Sequence, residues 1–218
     1  MKKQELKGAS LLFIAALFWG TTFVAQSLGM DYVGPFTYLW ARSLVGGIVL
    51  IPISIIFTRH SKHDHIDQTN LEASRRLHRR YLLWGGIICG IILFAGSAFQ
   101  QFGLLYTSVG KAGFISALYI VIVPIIGLFL KKKCGINVWI SIIIAVIGLY
   151  LLSMNGSFSL SKGDSLILVC SILFAFHIVV IDYVSPKVNG VLLSCIQFWI
   201  CALLSGIAMF IIETPSWG

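Results

Sequence analysis

Apolar residues run through this chain in long, nearly uncharged stretches. Gly8–Met30 carries no charge, and Tyr32–Thr58 carries one, Arg42. Tyr81–Gly110 and Ala112–Leu130 carry none, and Cys134–Ser161 is uncharged and apolar as far as Met154. Ser165–Ile181 and Val188–Ile212 complete the series. A membrane-spanning helix needs about 20 apolar residues, with a range of roughly 17–25. The pattern therefore predicts seven transmembrane helices, the sixth at the short end. Alternating apolar and polar positions are absent, which excludes a membrane β-barrel.

A second pattern lies on top of the first. Lys162-Gly163-Asp164-Ser165-Leu166 repeats Lys7-Gly8-Ala9-Ser10-Leu11 at an offset of 155 residues, with four of the five residues identical. Beyond it the match is one of type: Ala15 and Ala16 become Cys170 and Ser171, Trp19 becomes Phe174, and Gly20 becomes Ala175. Apolar helices resemble one another cheaply. The repeat of the polar lead-in is what argues for internal duplication.

Composition agrees with a membrane chain. Of 218 residues, 58% are hydrophobic and 11% charged, with a mean hydropathy of +0.93. Soluble domains are about 45–50% apolar and about 25% charged. The net charge of +8 would suggest nucleic acid in a soluble protein. Here the basic residues flank apolar runs, so the expected partner is the lipid bilayer and not nucleic acid. The first run is longer than the apolar core of a signal peptide and lacks a convincing small-x-small cleavage site, so it is read as a retained helix.

Basic residues also orient the chain. With the N-terminus inside, Lys2, Lys3, Lys7, Arg59, Lys62, Arg75, Arg76, Arg79, Arg80, Lys131, Lys132, Lys133 and Lys187 fall on the inner side, against Lys111 and Lys162 outside. This bias predicts a cytoplasmic N-terminus in a multi-pass protein of the cell membrane. Five helices, an odd number, separate Lys7 from Lys162. The two copies thus run in opposite directions, an inverted-topology repeat of the kind that builds secondary transporters.

Trp19-Gly20, Pro35 and Arg42, Tyr106-Thr107-Ser108, and Lys111-Ala112-Gly113-Phe114-Ile115 leading to Pro124 resemble the drug/metabolite transporter superfamily, EamA type. The resemblance implies ten helices arranged as two inverted five-helix repeats, moving small metabolites such as amino acids or amphipathic compounds. On that plan residues 8–154 are the first repeat, and 162–218 are the first two helices of the second. The fold class expected is an all-α integral membrane protein. Residues 1–218 alone, with seven of the ten helices, are expected to show no specific transport.

Depth along the helices, at 1.5 Å per residue, selects a candidate substrate pathway. Trp19 falls near the midplane beside Gly20, Thr21 and Thr22, as a cavity wall or as packing with the Thr hydroxyls bonded to their own backbone. Arg42 is the one charge clearly inside a span; it serves function, or it snorkels to the outer headgroups. Gln197 holds its place in the second copy. Ser97 and Gln100 lie toward the outer end of the third helix. Its Gly86 and Gly90 form a small-xxx-small step for close packing. The fourth helix carries Ser116, Tyr119 and Pro124, where a kink is expected. His177, in the place of Thr22, is either a proton relay or a neutral imidazole bonded to a neighbouring helix.

The pathway set is thus Trp19, Thr22, Arg42, Ser97, Gln100, Tyr119, Pro124 and His177. It suits a small molecule with polar and apolar parts, and not a phosphate, for which convergent Arg or Lys would be needed. His60, His63, His65 and His78 in the inner loop lack metal-ligand spacing, and no metal or cofactor is expected. Phosphate-loop, nucleophile-elbow and zinc-protease motifs are missing, so direct ATP coupling and catalysis are not indicated. Two alternatives to a transporter stay open, a structural or regulatory seven-helix protein and an intramembrane enzyme. The pattern also leaves a homodimer open.

Overall fold

The computed structural model describes residues 3–60, 71–131, 135–153 and 161–213. Among these residues the chain is all helix and turn, without strands. The elements are α1 (Lys3–Gly29), α2 (Pro35–His60), α3 (Leu71–Leu104), α4 (Val109–Ala117), α5 (Tyr119–Phe129), α6 (Ile136–Ser153), α7 (Lys162–Val184) and α8 (Gly190–Ile212), with a 3-10 turn at Ser185–Lys187. Six segments among the described residues are long and apolar enough to cross a bilayer, α4 and α5 counting as one broken span. The apolar stretch Ile136–Gly148 of α6 is shorter. The protein is an all-α integral membrane protein.

The expected kink in the fourth span sits elsewhere than at Pro124. The helix breaks at Leu118, where the Leu118 N–H donates to the Ile115 carbonyl at 3.2 Å and the Val121 N–H donates to the Leu118 carbonyl at 2.9 Å. Helix α5 then runs on through Pro124. The missing N–H of proline is absorbed within the helix, and the tighter i→i+3 turn one and a half turns earlier makes the interruption.

Glycines bring the central helices together. A Cβ on Gly86 would meet the Ile196 side chain at 2.5 Å, and one on Gly90 would meet Ile200 at 2.6 Å, so α3 lies directly on α8. On the neighbouring face, Gly85 abuts Val184, Gly96 abuts Phe174 and Gly103 abuts Ile167, all on α7. These pairs run in opposite order along the two helices, so α3 and α7 are antiparallel. Lipid gives no hydrophobic drive for helix association, and close backbone approach at small residues supplies the dispersion contact instead. Helices α2 and α8 also pack antiparallel, through Ser43 on Cys201 and Gly206 against Trp40. Helix α1 packs chiefly on α4, through a small core of Phe23, Leu104, Ala112 and Ile167.

Two carboxylates close one end of the bundle. Glu213, just past α8, accepts from the Phe36 N–H at 2.7 Å, the Thr37 N–H at 2.9 Å and the Thr37 hydroxyl at 2.7 Å. It caps the N-terminus of α2 from across the bundle, satisfying donors that a helix start leaves free. Asp164 forms a capping box with Ser161 and accepts from the Thr107 hydroxyl, with Lys111 Nζ 4.0 Å away. Lys111 is therefore beside a carboxylate as well as near a headgroup depth. At the opposite end Lys187 stacks over the Tyr183 ring at 3.3 Å and the Tyr81 ring at 4.5 Å, and His78 Nδ1 lies 2.9 Å from the Lys187 carbonyl oxygen.

Gly90→Ala is expected to lower stability by about 1–3 kcal/mol, the range for overpacking a filled contact. Gly148→Ala, whose new Cβ meets nothing within 4 Å, is expected to be neutral or to stabilise by up to about 1 kcal/mol. Thermal unfolding in mild detergent reads the difference. Equal melting temperatures would show that α3 does not approach α8 this closely.

Candidate substrate cavity

Helices α1, α2, α3, α7 and α8 enclose a cavity of about 480 Å³ midway along the bundle. Six of the eight pathway residues line it: Trp19 and Thr22 from α1, Arg42 from α2, Ser97 and Gln100 from α3, and His177 from α7. Gln26, Tyr38, Ser43, Phe174, Phe198 and Cys201 complete most of the wall. Its volume lies in the usual range for small-molecule sites, which are largely apolar with a few placed polar groups.

The remaining two residues lie beside it. Tyr119, in the first turn after the break at Leu118, stacks on Trp19 with ring centroids 5.6 Å apart and planes 23° apart. A second, smaller cavity of about 380 Å³ opens between α1 and α4; Trp19 lines both cavities and Tyr119 the smaller one. Pro124 is half-buried in α5 and lines neither cavity.

Polar groups in the wall divide into engaged and free. The Thr22 hydroxyl donates to the Trp19 carbonyl at 2.6 Å and the Thr21 hydroxyl to the Phe18 carbonyl at 2.7 Å, so both are spent on their own helix. Gln100 Nε2 donates to the Ser116 hydroxyl at 3.4 Å, a long contact that ties α3 to α4. Ser43 donates to the Cys201 sulfur at 3.3 Å, tying α2 to α8. His177 Nε2 lies 2.8 Å from Gln197 Oε1, which suits the tautomer carrying its proton on Nε2 and donating to the amide. The imidazole thus bonds to a neighbouring helix.

Gln26 is different. It is 2% exposed, lines the cavity, and its Oε1 has no hydrogen-bond partner. An unmet amide in a low-dielectric interior costs about 1–3 kcal/mol. Arg42 is half-buried at the same cavity, and among the described residues no carboxylate lies within ion-pair distance of it. Gln26 was not among the residues singled out from the sequence. It lies seven residues, two helical turns, beyond Trp19, so a face count from Trp19 and Thr22 would have reached it.

Positions related by the 155-residue offset meet here. Trp19 and Phe174, Thr22 and His177, and Ser43 and Phe198 all line the one cavity. Arg42 lines it too, while its counterpart Gln197 holds His177. The α2–α8 contact is reciprocal as well. Ser43 touches Cys201, the counterpart of Gly46, and a Cβ on Gly46 would lie 3.0 Å from the ring of Phe198, the counterpart of Ser43.

No metal-binding group of three or more His, Cys, Asp or Glu exists among the described residues. His63 and His65 lie outside them. His78 is spent on the Lys187 carbonyl.

Membrane-length helices surround this cavity, and comparison with known proteins gives the family. Residues 6–154 match the model of the EamA-like transporter family, and the chain belongs to that family. A protein of Archaeoglobus fulgidus described as an uncharacterized transporter is 28% identical over 205 residues, covering 94% of this chain and 56% of that protein. The chain therefore spans little more than half the length of that relative. No solved structure matches it.

A double-mutant cycle tests the His177–Gln197 bond. His177→Ala and Gln197→Ala should be non-additive, with a coupling of about 0.6 kcal/mol and a ceiling near 1.7 kcal/mol, the span measured for hydrogen bonds between membrane helices. Additive losses in thermal unfolding would show that the two side chains do not pair.

Proposed function

We propose that the protein is a secondary transporter, not driven by ATP, that moves small metabolites such as amino acids or amphipathic compounds by alternating access between inverted repeats. The observation that carries this reading is the meeting of offset-related residues on one cavity, with reciprocal contacts between α2 and α8. Reciprocal pairing, i with j and j with i, is what a two-fold axis between copies produces. A cavity on such an axis can open toward either side by rocking one repeat against the other.

In this reading residues 8–154 form the first repeat and 162–218 begin the second. The pathway residues are Trp19, Thr22, Arg42, Ser97, Gln100, Tyr119 and His177, to which Gln26, Tyr38 and Phe198 are added. Pro124 shapes α5 from outside the cavity. The Trp19–Tyr119 stack serves as the movable wall, because it joins α1 to the segment that follows the helix break. The N-terminus lies in the cytoplasm of the cell that carries the protein in its membrane. Catalysis has no part in this scheme.

Transport by the protein at the full length its gene encodes, reconstituted in vesicles, checks the site. Trp19→Ala, Tyr119→Ala and His177→Ala, each confirmed to insert normally, are expected to reduce transport by about tenfold or more, as loss of a positioned contact does. If all three behave like the parent, the pathway runs elsewhere. For orientation, a single cysteine replacing Lys62 should resist an impermeant thiol reagent added outside intact cells. Efficient outside labelling there would reverse the topology.

A further inference from the structure

The charge balance of the cavity narrows the class of molecule it takes, an inference that rests on the cavity being the substrate site. Arg42 brings a guanidinium that stays protonated at any ordinary pH. None of the described residues lining the cavity is Asp or Glu. The carboxylates at one end of the bundle are spent elsewhere, Glu213 on the start of α2 and Asp164 on its capping box and Thr107. The hydroxyls and amides that line the cavity can support an anion by hydrogen bonding but cannot cancel the positive charge.

A cation at membrane depth without a counter-charge is costly, and the cost is relieved when a ligand supplies the charge. A ligand's ammonium group would find the opposite: no carboxylate among the described lining residues to receive it, and Arg42 to repel it. We infer that the cavity selects organic monocarboxylate anions, the carboxylate meeting Arg42, the apolar body lying against Phe174, Phe198 and Trp19, and a further hydrogen-bond donor meeting the unpartnered Oε1 of Gln26. An amide oxygen accepts, so the substituent that matches it is a donor. One fork of guanidinium matches one carboxylate in bidentate fashion. A dianionic phosphate would call for more cations than the cavity offers. A zwitterion would carry an ammonium into a site with no anion. Both are therefore disfavoured relative to a simple monoanion of the same size and shape, which narrows the class proposed above to amphipathic acids and away from amino acids.

Four probes of similar shape separate the possibilities: 3-phenylpropionate, 3-phenylpropionamide, 3-phenylpropylamine and phenylalanine. The protein, at the full length its gene encodes and freed of its native cysteines, carries Ala25→Cys at the cavity wall. It is held in discs of uncharged lipid, and each probe is titrated for protection of that cysteine against a thiol reagent. The expected result is half-protection by 3-phenylpropionate at a concentration at least about tenfold lower than for the amide, the amine or phenylalanine, as loss of a desolvated charge pair implies. Arg42→Gln should erase the preference, and Arg42→Lys should keep the anion ahead. The comparison of probes on the protein with Arg42 intact needs no variant at that position, so a misfolded Arg42→Gln does not blunt the test. Equal protection by all four, or better protection by the amine or phenylalanine, overturns the monoanion inference and leaves the cavity reading standing. An anion preference that survives in correctly inserted Arg42→Gln overturns the role of Arg42. Protection by none of the four up to their solubility overturns the cavity as a binding site, and the inference with it.

Discussion

The close approach of α3 to α7 and α8 governs the rest of the structure. Five glycines, Gly85, Gly86, Gly90, Gly96 and Gly103, leave room for Val184, Ile196, Ile200, Phe174 and Ile167 in turn. In lipid, such contact at small residues replaces the hydrophobic drive that packs soluble helices. The approach also sets where the cavity lies. With Gly96 against Phe174, the next residue, Ser97, and the one a turn later, Gln100, stand across from His177 on the same cavity. Larger residues at these positions would push α7 and α8 outward and widen the space that Arg42 and Gln26 now share.

Several polar groups at the ends of the bundle are partnered: Glu213 by the start of α2, Asp164 by Ser161 and Thr107, and Lys187 by two tyrosine rings. On the cavity, Gln26 Oε1 is left without a hydrogen bond and Arg42 without a carboxylate among the described residues. Buried polar groups are ordinarily satisfied, and those that are not ask for an explanation. A site kept ready for a ligand explains both residues at once, because they face the same cavity. Gln101 and Ser171, also buried and without partners, line no cavity described above, and nothing in the structure explains them.

Much of this was legible in the sequence, for a physical reason. A bilayer admits few spanning structures, so uninterrupted apolar runs translate directly into helices. Six of the seven runs give membrane-length helices among the described residues, and the fifth gives the shorter apolar stretch of α6; α7 starts at Lys162, before the expected Ser165, because Ser161 and Asp164 cap it one turn earlier. Depth counting put Trp19, Thr22 and His177 near the midplane and Arg42, Ser97 and Gln100 nearer the outer side, and all six line one cavity. Depth says nothing of which way a side chain faces. Helices surrounded by lipid show little amphipathic contrast, which is why Gln26, Tyr38 and Phe198 escaped notice while Pro124 was included. The break at Leu118 carries no proline or glycine to mark it. The Glu213 cap joins residues 176 and 177 apart in sequence, beyond any local pattern.

The central claim is that the cavity between α1, α2, α3, α7 and α8 is a transport pathway open alternately to both sides of the membrane. Accessibility of a single cysteine at Thr22 measures this most directly. That residue lines the cavity, and its hydroxyl bonds only its own helix, so the exchange disturbs little. With the protein at the full length its gene encodes in oriented vesicles, an impermeant thiol reagent should reach Thr22→Cys from either face, and a transported compound should slow the reaction from both. Reaction from one face only under every condition, or from neither, would contradict the account.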